Sequence, residues 1–326
     1  MGQTLSEPIV EKTSHEGKNK HVLYGLSCMQ GWRLTMEDAH CAELDLNGTE
    51  ACFFGVYDGH GGSTVAQYTG QTLHHRVLES SHFEKKSYAQ AMTEAYLQLD
   101  KELLEDQNFS YDPSGCTAVS ALLMPSQKSI FVASDSRCIV STAGQSKPLS
   151  FDHKPGDSKE NQRIVKAGGF VEFGRVNGNL ALSRAIGDFE FKQAANLPPE
   201  EQAVTCYPDV VEHTITDQDE FLVLACDGIW DCMSNREVVD FVRHHLANKM
   251  KLDEICEQMM DHCLAPESDG GGLGCDNMSV IIVALLHGRT EEEWYEWMAN
   301  RAIPKKDALG NDIQPAPANA PSEKTA

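Results

Sequence analysis

The chain has 326 residues and a mass of 36.0 kDa, enough for one large domain or two small ones. Charged residues make up 23% and hydrophobic residues 41%, a globular mixture that excludes wholesale disorder. Asp and Glu number 49 against 27 Lys and Arg, a net charge of −22; so acidic a surface repels phosphate backbones and anionic lipid, which argues against nucleic-acid partners and charge-driven membrane binding.

Residues 1–20 read as a polar arm, without the apolar core of a secretory signal. Its first residues, Met1-Gly2-Gln3-Thr4-Leu5-Ser6, fit the pattern for myristoylation of Gly2 once Met1 is removed, a pattern that polar arms also carry by chance. One acyl chain with no basic cluster beside it gives only weak membrane association, so the expected location is cytoplasmic, with nuclear access. Short apolar, β-branched runs predict strands over 51–57, 117–123, 129–133, 221–225 and 278–286. Helical patterns fill 62–80, 86–106, 157–167, 235–248 and 252–264. Successive strands between 117 and 142, with no helix between them, imply hairpins and antiparallel pairing, hence an α+β class. No linker or repeat breaks 21–290, which reads as one domain, followed by a short helix over 291–303. From 304 to 326, four prolines and five alanines stand with almost no large apolar side chain, the composition of a disordered tail. The longest apolar run, 280–286, is far below the roughly 20 residues of a membrane span. A monomer is the default expectation.

Eleven cysteines, none in a C-x-x-C pair, sit mostly in apolar stretches (Cys52, Cys116, Cys226), as free core thiols do in a reducing compartment. No Cys/His cluster has the close spacing of structural zinc. No cysteine has an Arg six positions later, so a tyrosine-phosphatase nucleophile is disfavoured, and neither a G-x-S-x-G elbow nor a P-loop is present. His74-His75 and His244-His245 fall on helical stretches and are expected at the surface; His153 reads as a loop anchor.

What ends the strands carries the chemistry. Residues 53–57 run into Asp58-Gly59-His60-Gly61-Gly62, and 221–226 run into Asp227-Gly228, with Asp231 four residues on. Residues 129–134 lead to Asp135-Ser136-Arg137, and the last strand is entered through Asp276-Asn277. One Asp-Gly at a strand end is commonly only a turn. Four acids delivered this way, with Glu37-Asp38 besides, suggest a gathered carboxylate cluster, which repels itself unless a cation neutralises it. Hard oxygen ligands select Mg²⁺ or Mn²⁺ over zinc. Arg33 shares parity with Glu37, so an extended segment shows both on one face, and beside such a cluster Arg33 is a candidate phosphate clamp.

These residues resemble the metal-dependent Ser/Thr protein phosphatases of type 2C. The matching segments are R-L-T-M-E-D (33–38), V-Y-D-G-H-G-G (56–62), S-G-C-T-A (114–118), S-D-S-R (134–137), D-H-K-P (152–155), R-V-N-G-N-L-A-L-S-R-A-I-G-D (175–188), A-C-D-G-I-W-D (225–231) and C-D-N-M-S-V (275–280). Individually D-G-H-G is weak; the ordered set, spanning 21 to about 288, is specific, and the domain length looks like the fungal members. The resemblance implies a central antiparallel β-sandwich flanked by helix pairs, with Mg²⁺ or Mn²⁺ in a cleft at one edge. By the same resemblance Asp58 bridges two ions, Asp227 and Asp276 complete one shell, the Gly59 carbonyl serves the other, and Glu37 acts through water. Arg33 would hold the substrate phosphate, and His60 would protonate the leaving group. Asp135 and Asp231 match a weaker third metal site, and Asp38 and Thr117 stand in supporting positions. The sequence departs from the family at Val132 and Ser134, the latter replacing a Gly. The implied activity is hydrolysis of phosphoserine and phosphothreonine proteins by a water shared between two ions, with no covalent enzyme intermediate. Two rival readings are a two-metal phosphodiesterase or nuclease, which the charge disfavours, and an inactive phosphatase-like binding module, which the intact residues disfavour.

Overall fold

The computed structural model describes residues 4–134, 136–268 and 272–301. Gly2, Asp135 and the expected tail at 304–326 lie outside the described residues.

Two antiparallel sheets face each other. One has six strands in the order β1 (Thr4–Lys18), β2 (Val22–Arg33), β16 (Met278–Leu285), β15 (Asp219–Ala225), β9 (Arg137–Thr142) and β10 (Gln145–Pro148). The other has five: β14 (Asp209–Thr214), β8 (Ser129–Ser134), β7 (Val119–Met124), β4 (Cys52–Tyr57) and β3 (Ala39–Glu43). A small sheet joins β5 (Gly59–His60), β6 (Gly115–Cys116) and β13 (Ile186–Gly187), and β11 (Val171–Glu172) pairs with β12 (Arg175–Val176).

Strands β4, β7, β15 and β16 are buried from end to end because both of their faces are covered. Side chains alternate across a strand, so Phe54 and Val56 of β4 meet Leu222, Leu224, Ile281 and Val283 between the sheets. Phe53 and Tyr57 turn outward onto α1 (Thr64–Glu79) and α3 (Tyr88–Glu105). On the opposite side, Phe221, Val223 and Ile282 pack against α6 (Asn235–Ala247), α7 (Leu252–Cys263) and α8 (Glu291–Arg301). Shorter helices are α2 (Ser81–Glu84), α4 (Ser158–Lys166) and α5 (Asp227–Trp230). The result is an α+β sandwich with helices on both outer faces. Truncating a side chain such as Leu224, wholly buried between the sheets, to alanine costs about 2–5 kcal/mol.

Helix boundaries follow local chemistry. α6 starts where Ser234 accepts from the Glu237 amide and the Glu237 carboxylate accepts from the Ser234 amide, a reciprocal cap that satisfies two donors lacking helical partners. None of the eleven cysteines is in a disulfide, and the nine that are buried act as small core hydrophobes. Among the described residues no helix is long and apolar enough to cross a membrane.

The first segment differs from the expected polar arm. Residues 4–18 are β1, an edge strand hydrogen-bonded along β2. Its polarity hid it: much of the strand faces solvent, and register shifts between Thr4 and Ile9 and between Ile9 and Lys12 break the period of two. Its side chains are tied down by Lys12 on Asp261 and Ser14 on Glu257 of α7. His74 also differs from expectation, being only 7% exposed on the α1 face turned toward the sheet, whereas His75 and His244 are exposed and His245 is half-buried.

Deleting residues 1–18 would leave β2 with a bare edge, a template for pairing with another chain. The expected outcome is a lower Tm and concentration-dependent self-association by size-exclusion chromatography. An unchanged Tm and elution volume would mean that β1 contributes nothing to the sheet.

Candidate active site

Several carboxylates meet where strands end. Asp58 leaves β4, Asp227 opens α5 directly after β15, and Asp276 stands two residues before β16. Glu37 and Asp38 lie in the link from β2 to β3. One ligand atom from each of Asp38, Asp58 and Cys226 falls within 4.8 Å of the others. The Asp58 carboxyl lies close enough to Asp227 for the Asp227 charge to raise it. Gly59 permits this crowding: a Cβ there would sit 2.3 Å from the Glu37 carbonyl oxygen. The Thr117 amide donates to the Asp58 carbonyl at 2.9 Å, fixing that turn from β6.

Burial and mutual repulsion dominate the electrostatics. Asp38 donates nothing as a carboxylate and accepts from Ser279 Oγ at 2.7 Å, while its Oδ1 is buried without a partner. Burial, reinforced by the Asp227 and Asp276 charges, lifts it to about 7. Desolvation by the surrounding chain, with Asp276 and Asp231 adding, lifts Asp227 to about 6 against the opposing pull of Lys154, although its side chain still faces solvent. Asp58 is pushed well above the ordinary carboxylate range, first by burial and then by Asp227. Asp231, at the C-terminus of α5, is raised by desolvation, with Lys154 opposing.

Cations and a histidine rim the cluster. Arg33 Nη2 donates to Asp276 Oδ2 at 2.6 Å, and its other guanidinium donors have no protein partner among the described residues. Asn277 fixes the segment that carries Arg33 and Glu37: its Oδ1 accepts from the Glu37 amide at 2.9 Å, and its Nδ2 donates to the Gln30 and Thr35 carbonyls at 2.8 and 3.0 Å. Glu37 Oε1 accepts from Thr35 Oγ1 at 2.9 Å and Oε2 from the Gly62 amide at 3.2 Å. His60 Nε2 lies 2.7 Å from Oδ2 of Asp188, whose side chain is 4% exposed. Gly115 makes room for this pair, since a Cβ there would be 2.4 Å from Asp188 Oδ2 and 2.8 Å from His60 Nε2.

Of the residues singled out from sequence, Arg33, Glu37, Asp38, Asp58, Gly59, His60, Thr117, Asp227, Asp231 and Asp276 are thus placed around one cleft. Asp135 lies outside the described residues; its neighbour Ser134 is buried in β8 without a positive φ, so the strand accommodates the loss of glycine there. His153 is a loop anchor, with Nε2 3.0 Å from Asp209 Oδ2 and its carbonyl accepting from Ser183. Sequence reasoning missed Asn277 and Asp188 as partners. Both stood inside quoted segments, but their contacts are made across the fold. A cavity of about 650 Å³ between α3 and residues 192–207 contains none of the acidic cluster.

A family model described as protein phosphatase 2C matches residues 22–270. The chain belongs to the protein phosphatase 2C family. Similar curated proteins include a protein phosphatase 2C homolog 2 of Hypocrea jecorina, 53% identical over 310 residues covering 92% of this chain and 71% of that one. Another homolog 2, from Schizosaccharomyces pombe, is 51% identical and covers 92% and 83%. A phosphatase from Toxoplasma gondii has a crystal structure similar to this one, with a TM-score of 0.72, 28% identity, and coverage of 84% of this chain and 96% of that chain. This phosphatase is therefore a metal-dependent protein serine/threonine phosphatase with the α+β fold of its family.

The cluster suits hard divalent cations. Its donors are carboxylate oxygens, one buried oxygen has no partner among the described residues, and crowded carboxyls that keep a proton would release it to a cation. In the metal-free protein these acids keep protons to higher pH than they do in the unfolded chain. From about pH 4 to 7 the folded state then binds more protons than the unfolded one, so its stability falls as pH rises. Thermal melts of EDTA-treated protein should show Tm dropping across about pH 5–7.5, with Mn²⁺ flattening the slope and Asp38→Asn reducing it. A Tm independent of pH in the metal-free protein would contradict this crowding and desolvation of the acids.

Proposed function

We propose that this phosphatase hydrolyses phosphoserine and phosphothreonine side chains by direct attack of water, with two Mg²⁺ or Mn²⁺ ions held by Asp58, Asp227, Asp276, Glu37 and the Gly59 carbonyl. The observation that carries this reading is the convergence of Asp38, Asp58, Asp227 and Asp276 at the strand ends beside Arg33 and His60. When bound, such a pair of ions supplies a water deprotonated near neutral pH and charge neutralisation for an in-line displacement. Asp231 with Asp135 would hold a weaker third ion. Arg33 has one guanidinium nitrogen oriented by Asp276, which leaves the rest of its fork for the phosphate oxygens common to every substrate. Phosphate release from a phosphothreonine peptide with Mn²⁺ is expected to vanish with EDTA, and a bis-phosphodiester to stay intact. Asp276→Asn, which removes a charged ligand, should abolish turnover, while Asp231→Asn leaves a partly active enzyme. Near-normal turnover of Asp276→Asn at ordinary Mn²⁺ would sink the assigned shell.

His60 acts in this reading as general acid. Asp188 accepts from Nε2–H and fixes the ring, and Nδ1, which has no protein partner among the described residues, gives its proton to the departing serine or threonine oxygen. Protonating a strongly basic alkoxide as it leaves is worth typically 10²–10⁴-fold, whereas p-nitrophenolate leaves without that help. His60→Gln should therefore cut kcat heavily on a phosphothreonine peptide and much less on p-nitrophenyl phosphate. Asp188→Asn should shift the same ratio in the same direction by a smaller factor, because it misorients the ring without removing it. Arg33→Ala should raise KM on both substrates alike. Equal losses on the two substrates with His60→Gln would show that His60 is not the acid.

A further inference from the structure

A second group of potential ligands lies outside the cleft. Cys41 and Glu43 stand on β3, and His74 lies in the third turn of α1, ten residues beyond Thr64, or about 15 Å along the helix from its active-site end. Ligand atoms of these three side chains all lie within 4.8 Å of one another. They line a cavity of about 460 Å³ to which His15, His40 and His75 also contribute. The ring of His75 is 4.0 Å from that of His74.

The geometry that makes a thiol–imidazole hydrogen bond in the metal-free protein also fits a ligand set. Cys41 Sγ and His74 Nδ1 are 3.5 Å apart. Zinc binds thiolate sulfur at about 2.3 Å and imidazole nitrogen at about 2.0–2.1 Å, so a tetrahedral angle between those bonds places the two donors about 3.5 Å apart. Cys41 and His74 are both buried, which fixes them, while Glu43 is exposed at the mouth of the cavity and free to adjust. Burial, aided by His75, lowers His74 to about 4, so the imidazole is neutral, the form that ligates. The spacing along the sequence, 33 residues between Cys41 and His74, matches no zinc pattern; only the packing of α1 on the five-stranded sheet brings the ligands together.

We propose that Cys41, Glu43 and His74 form a site for a borderline-soft divalent cation, Zn²⁺, with its fourth position open to water from the cavity. Thiolate with imidazole selects Zn²⁺ over the Mg²⁺ or Mn²⁺ that carboxylates hold in the cleft. On binding, the Cys41 thiol loses its proton to solvent as the S–Zn bond forms, and no electron changes hands. Burial, with the Glu43 charge, holds that thiol up at about 12, so the protein without zinc keeps it as SH. A filled site would pin β3 to α1, and each of these elements begins at the catalytic cleft, after Glu37-Asp38 and after Gly61-Gly62.

The test uses the full chain with the cleft saturated by Mg²⁺, and Co²⁺ alone as a spectroscopic substitute for Zn²⁺. One equivalent of Co²⁺ should produce a near-ultraviolet thiolate-to-cobalt charge-transfer band with tetrahedral visible bands, and added Zn²⁺ should displace it. Cys41→Ser should lose the charge-transfer band, and Glu43→Gln, at an exposed position that does not threaten folding, should weaken Co²⁺ binding at least about tenfold. Asp227→Asn, which alters only the cleft, should keep the band. Absence of the band in the wild type overturns the proposal. So does a band that survives in Cys41→Ser, which would put the thiolate elsewhere, as at Cys226 beside Asp38 and Asp58.

Discussion

Repulsion among carboxylates gathered at strand ends is the constraint from which the rest of this structure follows. Asp38, Asp58, Asp227 and Asp276 are held within range of one another's charge, an arrangement an isolated loop would relax by moving apart. It persists because Asp58, Asp227 and Asp276 adjoin strands buried along their whole length, so that separating the charges would mean withdrawing Val56 or Leu224 from the space between the sheets. A core worth several kcal/mol per side chain thus offsets a local electrostatic cost and leaves the site poised to take up cations.

Polar groups around the cluster then set direction, where packing sets position. Asn277 satisfies three backbone groups of the segment from Gln30 to Glu37, which turns a flexible link into a fixed shelf for Arg33. The Asp188 carboxylate, buried and left-handed at its backbone, orients an imidazole that would otherwise sample several rotamers. Asn277 also meets the acids directly, its amide donating to Asp276 Oδ1 at 2.7 Å and its Oδ1 holding the Glu37 amide. Their work is to restrict side chains whose entropy would dilute a reactive geometry.

How far the sequence discloses this depends on whether a signal is local. Asp58, Asp227 and Asp276 are legible because each sits beside an apolar run, and a strand that ends in a carboxylate is visible within ten residues. Helices α6 and α7 are legible for the same reason, from period and length. β1 is not, because an edge strand wetted along much of its length needs no apolar pattern, and its bulges destroy what alternation remains. The pairs His60–Asp188 and Cys41–His74 stay hidden because they join positions 128 and 33 residues apart; their partners are chosen by the way the helices and small sheet pack on the sandwich.

The central position of β16 in the six-stranded sheet has a consequence for synthesis. It pairs with β2 on one side and β15 on the other, so a strand from the first tenth of the chain waits for one from the last sixth. Arg33 and Asp276, 243 residues apart, meet only once that strand is in place. A ribosome making this chain at roughly 5–20 residues per second therefore carries a long nascent segment with β2 and β15 unpaired on adjacent edges, exposed to chaperones and to neighbouring chains. Such long-range pairing also slows folding. The proposed site, which includes Asp276, is therefore completed only when this last strand is in place.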